Sequence, residues 1–218
     1  LEQLLTSHVE IAKWVSEGLP QDDLSIQNGI LTTRAPRAPL CIDPQMQASK
    51  WIKNRESKGG DRDAKVRTFQ DNDVMHLLEF AIQFGSSFII ENVGEDLDPL
   101  IDPILEKNLF YRNNGSYTKC IQLGDNIIDW NDNFKLYLIS KFSNPHYAPE
   151  ICAKTSIINY SVTLSGLEEQ LLNEVIGYER EELQKQKEQL VQNIAKNNII
   201  LVELENNILK GLTESNTN

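Results

Sequence analysis

Four short strand-like runs, each bounded by turn-forming residues, constrain this chain more than any other feature. They are Ala38-Pro39-Leu40-Cys41-Ile42, Ser87-Phe88-Ile89-Ile90, Phe134 to Ile139 and Ser156 to Thr163. Continuous apolar stretches of this length read as strands covered on both faces, the habit of a parallel sheet sandwiched by helices. Lys65 to Phe69 is a fifth strand candidate. Helical patterns lie between them. One runs from about Gln47 to Arg55. Another is capped by Asp73, carries Val74, Leu77, Leu78, Ala81 and Ile82 on one face, and is stopped by Gly85. The predicted class is α/β with a mostly parallel sheet. Its core should contain Leu40, Cys41, Ile42, Phe88, Ile89, Ile90, Leu136, Leu138, Ile157 and Ile158.

The remaining segments decorate that sheet. Leu1, Leu4, Leu5, Val9, Ile11, Ala12 and Val15 give an opening helix that Gly18-Leu19-Pro20 ends, and Asn28-Gly29 reads as a turn. Ser57-Lys58-Gly59-Gly60-Asp61 reads as a flexible loop. Asp98-Pro99 and Asp102-Pro103 each look like a cap followed by a first-turn proline, predicting a helix to about Asn108. Phe110-Tyr111-Arg112 and Tyr117 to Leu123 flank Asn113-Asn114-Gly115-Ser116, the signature of an inserted antiparallel hairpin. Gly124-Asp125-Asn126 turns the chain into Ile127 to Trp130, and Pro145 and Pro149 punctuate a loop before the last strand.

Charge and composition narrow the partners. The 218 residues carry 32 acidic and 21 basic side chains, a net charge of −11, which argues against a bulk electrostatic grip on nucleic acid or anionic lipid. No apolar run approaches the roughly 20 residues needed to span a bilayer. The chain opens on Leu1 inside a helical pattern, with neither an initiator Met nor a signal peptide, as a piece of something longer would. Cys41, Cys120 and Cys152 are scattered and odd in number, which points to a reducing compartment and to small buried hydrophobes rather than disulfides or zinc. His8, His76 and His146 are equally dispersed. Glu95, Asp96, Asp98 and Asp102 read as acids at helix N-termini rather than a calcium site.

Composition changes after Ser165-Gly166. Proline disappears, and Glu, Gln, Lys, Asn, Leu and Ile dominate. Leu183, Lys187, Leu190, Ile194, Asn197, Leu201, Leu204 and Ile208 alternate spacings of four and three, a heptad seam in which Lys187 and Asn197 are the polar members. Ile199, Ile200 and Val202 lie off the seam. A helix from Glu179 to Leu212 would extend roughly 50 Å. The pattern favours a projecting coiled-coil arm over a surface helix lying across the sheet.

A strand, a loop and a helix around Asp43-Pro44-Gln45-Met46-Gln47-Ala48-Ser49-Lys50 have the context of a nucleotide phosphate loop. A working loop needs glycines that let backbone N–H groups turn to the phosphates, a Lys for the β/γ-phosphates and a hydroxyl for Mg²⁺. Here Asp43 and Ala48 stand at the two glycines, Ser49 at the Lys and Lys50 at the hydroxyl. The strand that would carry a metal-binding Asp and a catalytic Glu ends instead in Glu91-Asn92, and Asn92 cannot act as a general base. These residues read as a degenerate loop with no catalytic group and no metal site.

These residues lead to a resemblance. Gly18-Leu19-Pro20 with Asp23 to Ile30, Pro39 to Gln45, Trp51-Ile52-Lys53-Asn54, Asn144-Pro145-His146-Tyr147, and Ile157 to Leu164 with Gly166-Leu167-Glu168 resemble the motor region of dynein heavy chains, axonemal type, at the fifth AAA+ module of the ring. The resemblance implies an AAA+ three-layer α/β large subdomain over 1–163. Over 164–218 it implies the start of a helical small subdomain with the outgoing buttress (strut) helix. It implies a non-catalytic module within an ATP-driven, minus-end-directed microtubule motor, with ATP and Mg²⁺ bound at other modules and no cofactor in this segment. Asn144 falls where related modules carry a nucleotide-sensing Asn, and Lys154 near where they present an arginine finger. The implied partners are neighbouring modules and the stalk, with microtubules and intermediate and light chains reached through the whole motor. The implied place is cytoplasmic and cytoskeletal, in the ciliary or flagellar axoneme. On this reading the helix beyond Glu179 is a lever to the stalk. Two other functions compete: a regulatory nucleotide-binding module, which the loop chemistry disfavours, and a stand-alone coiled-coil scaffold, which leaves the matched blocks along the sheet unexplained.

Overall fold

The computed structural model describes residues 5–57, 65–113 and 117–179, and the helical positions 186, 189, 190, 193, 197, 200, 201, 204 and 208. Two helices, α1 (His8–Ser16) and α2 (Asp23–Arg34), lead into β1 (Ala38–Ile42), α3 (Gln47–Ser57), β2 (Lys65–Thr68), α4 (Val74–Phe84) and β3 (Ser87–Glu91). A 3-10 turn (Pro99–Ile101) and α5 (Asp102–Leu105) precede β4 (Leu109–Asn113), β5 (Tyr117–Leu123) and β6 (Asn126–Asp129). The chain then returns through β7 (Lys135–Ser140), α6 (Pro149–Lys154) and β8 (Thr155–Asn159) to α7 (Leu164–Glu179).

The central sheet has the order β2-β3-β7-β1-β8, and every pair in it is parallel. Leu40 stands opposite Leu138 on one side and Ile157 on the other. A separate antiparallel sheet, β4-β5-β6, is the expected insertion. Alternate side chains of each central strand feed opposite half-cores. Leu40, Phe88, Ile90 and Leu138 meet α4, α5 and the insertion, while Cys41, Ile89, Tyr137 and Ile139 meet Trp14, Trp51 and Ile52 from α1 and α3. The result is the three-layer α/β arrangement expected of an AAA+-like fold. Its interior strands β1, β3 and β7 are buried on both faces over most of their length.

The structure corrects several local expectations. Asn28-Gly29 is no turn; it lies inside α2. Gly29 is there because a Cβ would come within 3.1–3.3 Å of Leu19 and Trp14, and Asn28 donates to the Asn159 carbonyl at 2.7 Å. Tertiary packing has overridden a local turn signal. Asp73 stands at the start of α4 without capping it; its carboxylate faces Arg67 at 3.5 Å instead. Asp98 does cap, accepting from Leu100 N at 2.9 Å. Asp102 is the first residue of α5 rather than its cap, and α5 stops at Leu105 because Lys107 turns the chain at φ 52°. The proline-punctuated loop contains α6, with Pro149 in its first turn. The last strand ends at Asn159, and Ile157 is 38% exposed rather than core, since β8 is the sheet edge.

Leu1, Leu4, most of the 57–61 loop, the 114–116 turn and seam residues Leu183, Lys187 and Ile194 lie outside the described residues. Leu190, Asn197, Leu201, Leu204 and Ile208 are helical and exposed.

Gly85 closes α4 as expected, at φ 69°, where a Cβ would sit 2.6 Å from the Asn131 side chain. Gly85→Ala should therefore lower stability by about 1–2 kcal/mol from the left-handed backbone alone, with crowding added. Urea unfolding checks this, and an unchanged midpoint would remove the cap assignment.

Candidate functional site

The loop from β1 to α3 opens at the C-terminal edge of the parallel sheet, where open α/β folds place their ligands. Its geometry is dominated by Asp43. The Asp43 backbone N–H donates to the Ser140 carbonyl at 2.8 Å, which fixes the loop to β7. Met46 then takes φ 60°, so the chain curls back over its own start. The carboxylate of Asp43, fully buried, fills the curl: Oδ1 accepts from Gln47 N at 2.9 Å and Oδ2 from Ser49 N at 2.8 Å. Backbone amides at a helix N-terminus form a ready anion seat. In this chain the anion is part of the loop. Burial pushes the Asp43 carboxyl above its ordinary value, and the N–H groups of Ser49, Gln47, Ala48 and Met46 oppose that rise without cancelling it.

The other loop residues are turned to structural contacts. Ala48 and Ser49 are buried and Lys50 is exposed. Pro44 is half-buried. Gln45 Oε1 accepts from Val162 N at 3.2 Å, and Gln47 Nε2 donates to Gln170 Oε1 at 3.0 Å. Ser49 Oγ donates to Glu91 Oε1 at 2.5 Å, and Lys53 Nζ meets the same oxygen at 2.7 Å. Burial works to raise the Glu91 pKa, but the bonds from Lys53 and Ser49 and the charges of Lys53 and Lys141 outweigh it, leaving the carboxyl below its usual range. Asn92 is exposed, in a left-handed bend at φ 55°.

The structure separates the remaining two candidates. Asn144 follows β7, at the same end of the sheet as the loop, and is exposed. Lys154 precedes β8, and in a parallel sheet that puts it at the opposite end. There its Nζ meets Asp102 Oδ2 at 3.0 Å and Glu106 Oε1 at 2.9 Å, pairs that raise its pKa, with the Glu106 bond foremost. Lys154 thus ties α6 to α5. A cleft of about 360 Å³, bordered by Thr33, Arg37, Lys107, Trp130 and Phe134, also lies at that far end. Among the described residues no group of three or more His, Cys, Asp or Glu side chains could hold a metal ion, and no helix is long and apolar enough to cross a membrane.

Residues 12–218 match the family model of the ATP-binding dynein motor region. The chain belongs to this dynein family. It is 48% identical over 218 residues to Dynein axonemal heavy chain 10 of Homo sapiens and 53% identical over 218 residues to the Dynein-1-alpha heavy chain, flagellar inner arm I1 complex, of Chlamydomonas reinhardtii. It is 44% identical over 215 residues to Dynein axonemal heavy chain 5 of Mus musculus. All or 99% of the chain is covered in these comparisons, but only 4–5% of each relative, so the chain spans about one twentieth of their length. The resemblance to axonemal dynein heavy chains seen in the sequence blocks is thus established at the level of the family.

Within this dynein segment, Lys53 and Gln170 are the site residues that sequence reading passed over. Lys53 had a local signal: it lies four residues after Ser49, so both face the same way on α3. Gln170 had none, because its contacts to Gln47 and Asp22 span 123 and 148 residues.

Proposed function

We propose that this dynein segment is the fifth AAA+ module of the motor ring, a non-catalytic module that passes ring movements to the stalk of an axonemal heavy chain. One observation carries the reading: the phosphate seat is occupied by the chain's own Asp43 carboxylate. An incoming triphosphate would have to displace a buried anion that already satisfies Gln47 N and Ser49 N. It would gain no lysine from Lys50, which is exposed. It would find no base at Asn92, and Glu91 is held by Ser49 and Lys53. Such a module serves the motor through its shape. The proposed division is an α/β large subdomain over 1–163 and the start of the helical part over 164–218, whose outgoing helix begins the buttress and carries the seam. In the intact motor its direct partners are the neighbouring modules and the stalk. Microtubules and the intermediate and light chains are reached through the whole molecule, in the axonemal cytoskeleton. ATP and Mg²⁺ act at other modules.

Isothermal titration of the chain with Mg-ATP is expected to give no saturable heat. A micromolar site that weakens in Glu91→Gln would overturn the reading.

A further inference from the structure

We propose that Gln47 and Gln170 form a side-chain latch that holds the root of α7 on the filled loop. The inference deepens the non-catalytic reading and rests on it.

Three contacts converge where the chain leaves the sheet for α7. Gln45 Oε1 accepts from Val162 N at 3.2 Å. Gln47 Nε2 donates to Gln170 Oε1 at 3.0 Å. Gln170 Nε2 donates to Asp22 Oδ1 at 3.4 Å. Asp22 is itself fixed as the cap of α2, with Oδ2 accepting from Ser25 N at 3.0 Å and Oδ1 from Ser25 Oγ at 2.9 Å. The first turn of α7 sits close against this point. Gly166 is buried, and a Cβ there would come within 3.2 Å of Thr163 Oγ1 and 3.6 Å of Asp22 Oδ2. Gln170 therefore bridges α2 and α3, donating to one and accepting from the other, which a primary amide can do and a carboxylate cannot.

Packing does not supply the same restraint. Leu167, Leu171, Leu172, Val175 and Ile176 are all exposed, so apolar burial against the described body does not set the direction of α7. The amide bridge does. Asp43 completes the chain of cause, since its carboxylate orders the first turn of α3 and so presents Gln47. A rigid root without a ligand lets α7 follow the sheet as one piece.

The test uses the intact heavy-chain motor, nucleotide-free, with spin labels at Lys50→Cys and Glu174→Cys in a Cys152→Ser background. Both label positions are exposed. Pulsed distance measurements should give one narrow distribution. Gln170→Glu keeps the acceptor for Gln47 but sets a second carboxylate against Asp22, and should lower the latched-to-unlatched ratio by about tenfold. Asp22→Asn combined with Gln170→Glu restores a donor and should return the narrow distribution. It should also restore the microtubule-stimulated ATPase that Gln170→Glu lowers. Gln47→Ala, which leaves the α2 cap intact, should broaden the distribution as well. A wild-type distribution in Gln170→Glu or Gln47→Ala, or no recovery in the double variant, overturns the latch. Because the measurement is made without nucleotide, saturable heat with Mg-ATP would remove the filled-seat reading and leave the latch contacts standing.

Discussion

Ile89→Ala is expected to destabilise the chain by about 2–5 kcal/mol, the usual cost of truncating a well-packed core isoleucine. Ile89 is fully buried in β3, between Val66 of β2 and Tyr137 of β7 in the strand register. Its side chain belongs to the half-core built on Trp51, Ile52 and Cys41. Those neighbours come from a helix and from a strand two places away, so they cannot close the void without moving the sheet. Ile157 supplies the control. It has the same side chain in the same sheet, but it is 38% exposed on the edge strand. Ile157→Ala should therefore cost less, about 1 kcal/mol. Equilibrium urea unfolding of both variants, read as midpoint shifts at constant slope, checks the contrast. Equal losses would mean that the layering assigned to the sheet is wrong.

That contrast also marks how much of the fold could be read from the residues. β1, β3 and β7 are interior strands, buried on both faces, and their unbroken apolar runs announce themselves. β8 carries only the apolar pair Ile157-Ile158 between polar residues, and whether Ile157 is covered depends on the strand order, which no local pattern encodes. Asn28-Gly29 failed for a related reason. The dipeptide is a turn signal in isolation, yet here glycine is needed by Trp14 and Leu19, and asparagine by the Asn159 carbonyl 131 residues away. Asp73 and Asp102 carry cap chemistry in the sequence. In the fold their carboxylates are drawn to Arg67 and Lys154, because an available cation competes with a backbone N–H.

The site was legible in what it lacks and opaque in what replaced it. Comparing Asp43 with a required glycine registers only a mismatch. Its consequence, a carboxylate bent back into the amides of its own helix, needs the left-handed Met46 that makes the curl. Glu91 similarly registers only as a mismatch at the end of its strand until Ser49 and Lys53 are seen on the same oxygen.

Asp43→Ala should bring out that replacement. Removing the carboxylate strips the acceptor from Gln47 N and Ser49 N, and a loss of about 1–3 kcal/mol is expected. The pH dependence has a defined sign. Burial holds the Asp43 pKa above its unfolded value, so its contribution is fully present below about pH 3.9 and declines as pH rises through the folded pKa. Glu91 is the reverse case. Burial raises its pKa, but the Lys53 and Ser49 bonds outweigh that, so its contribution is present above about pH 4.3 and is lost as pH falls through the depressed folded pKa. The penalty of Asp43→Ala should thus shrink on going up in pH from 4, while that of Glu91→Gln should shrink on going down. The two penalties moving together would contradict the assigned surroundings of both groups. The vacated seat gives a second readout. Its unsatisfied amides can donate to an oxyanion, so inorganic phosphate should raise the melting temperature of Asp43→Ala by mass action and leave the wild-type chain unmoved. Equal shifts in both would place the anion elsewhere, and Asp43 would then be a buried cap and no stand-in for a bound anion.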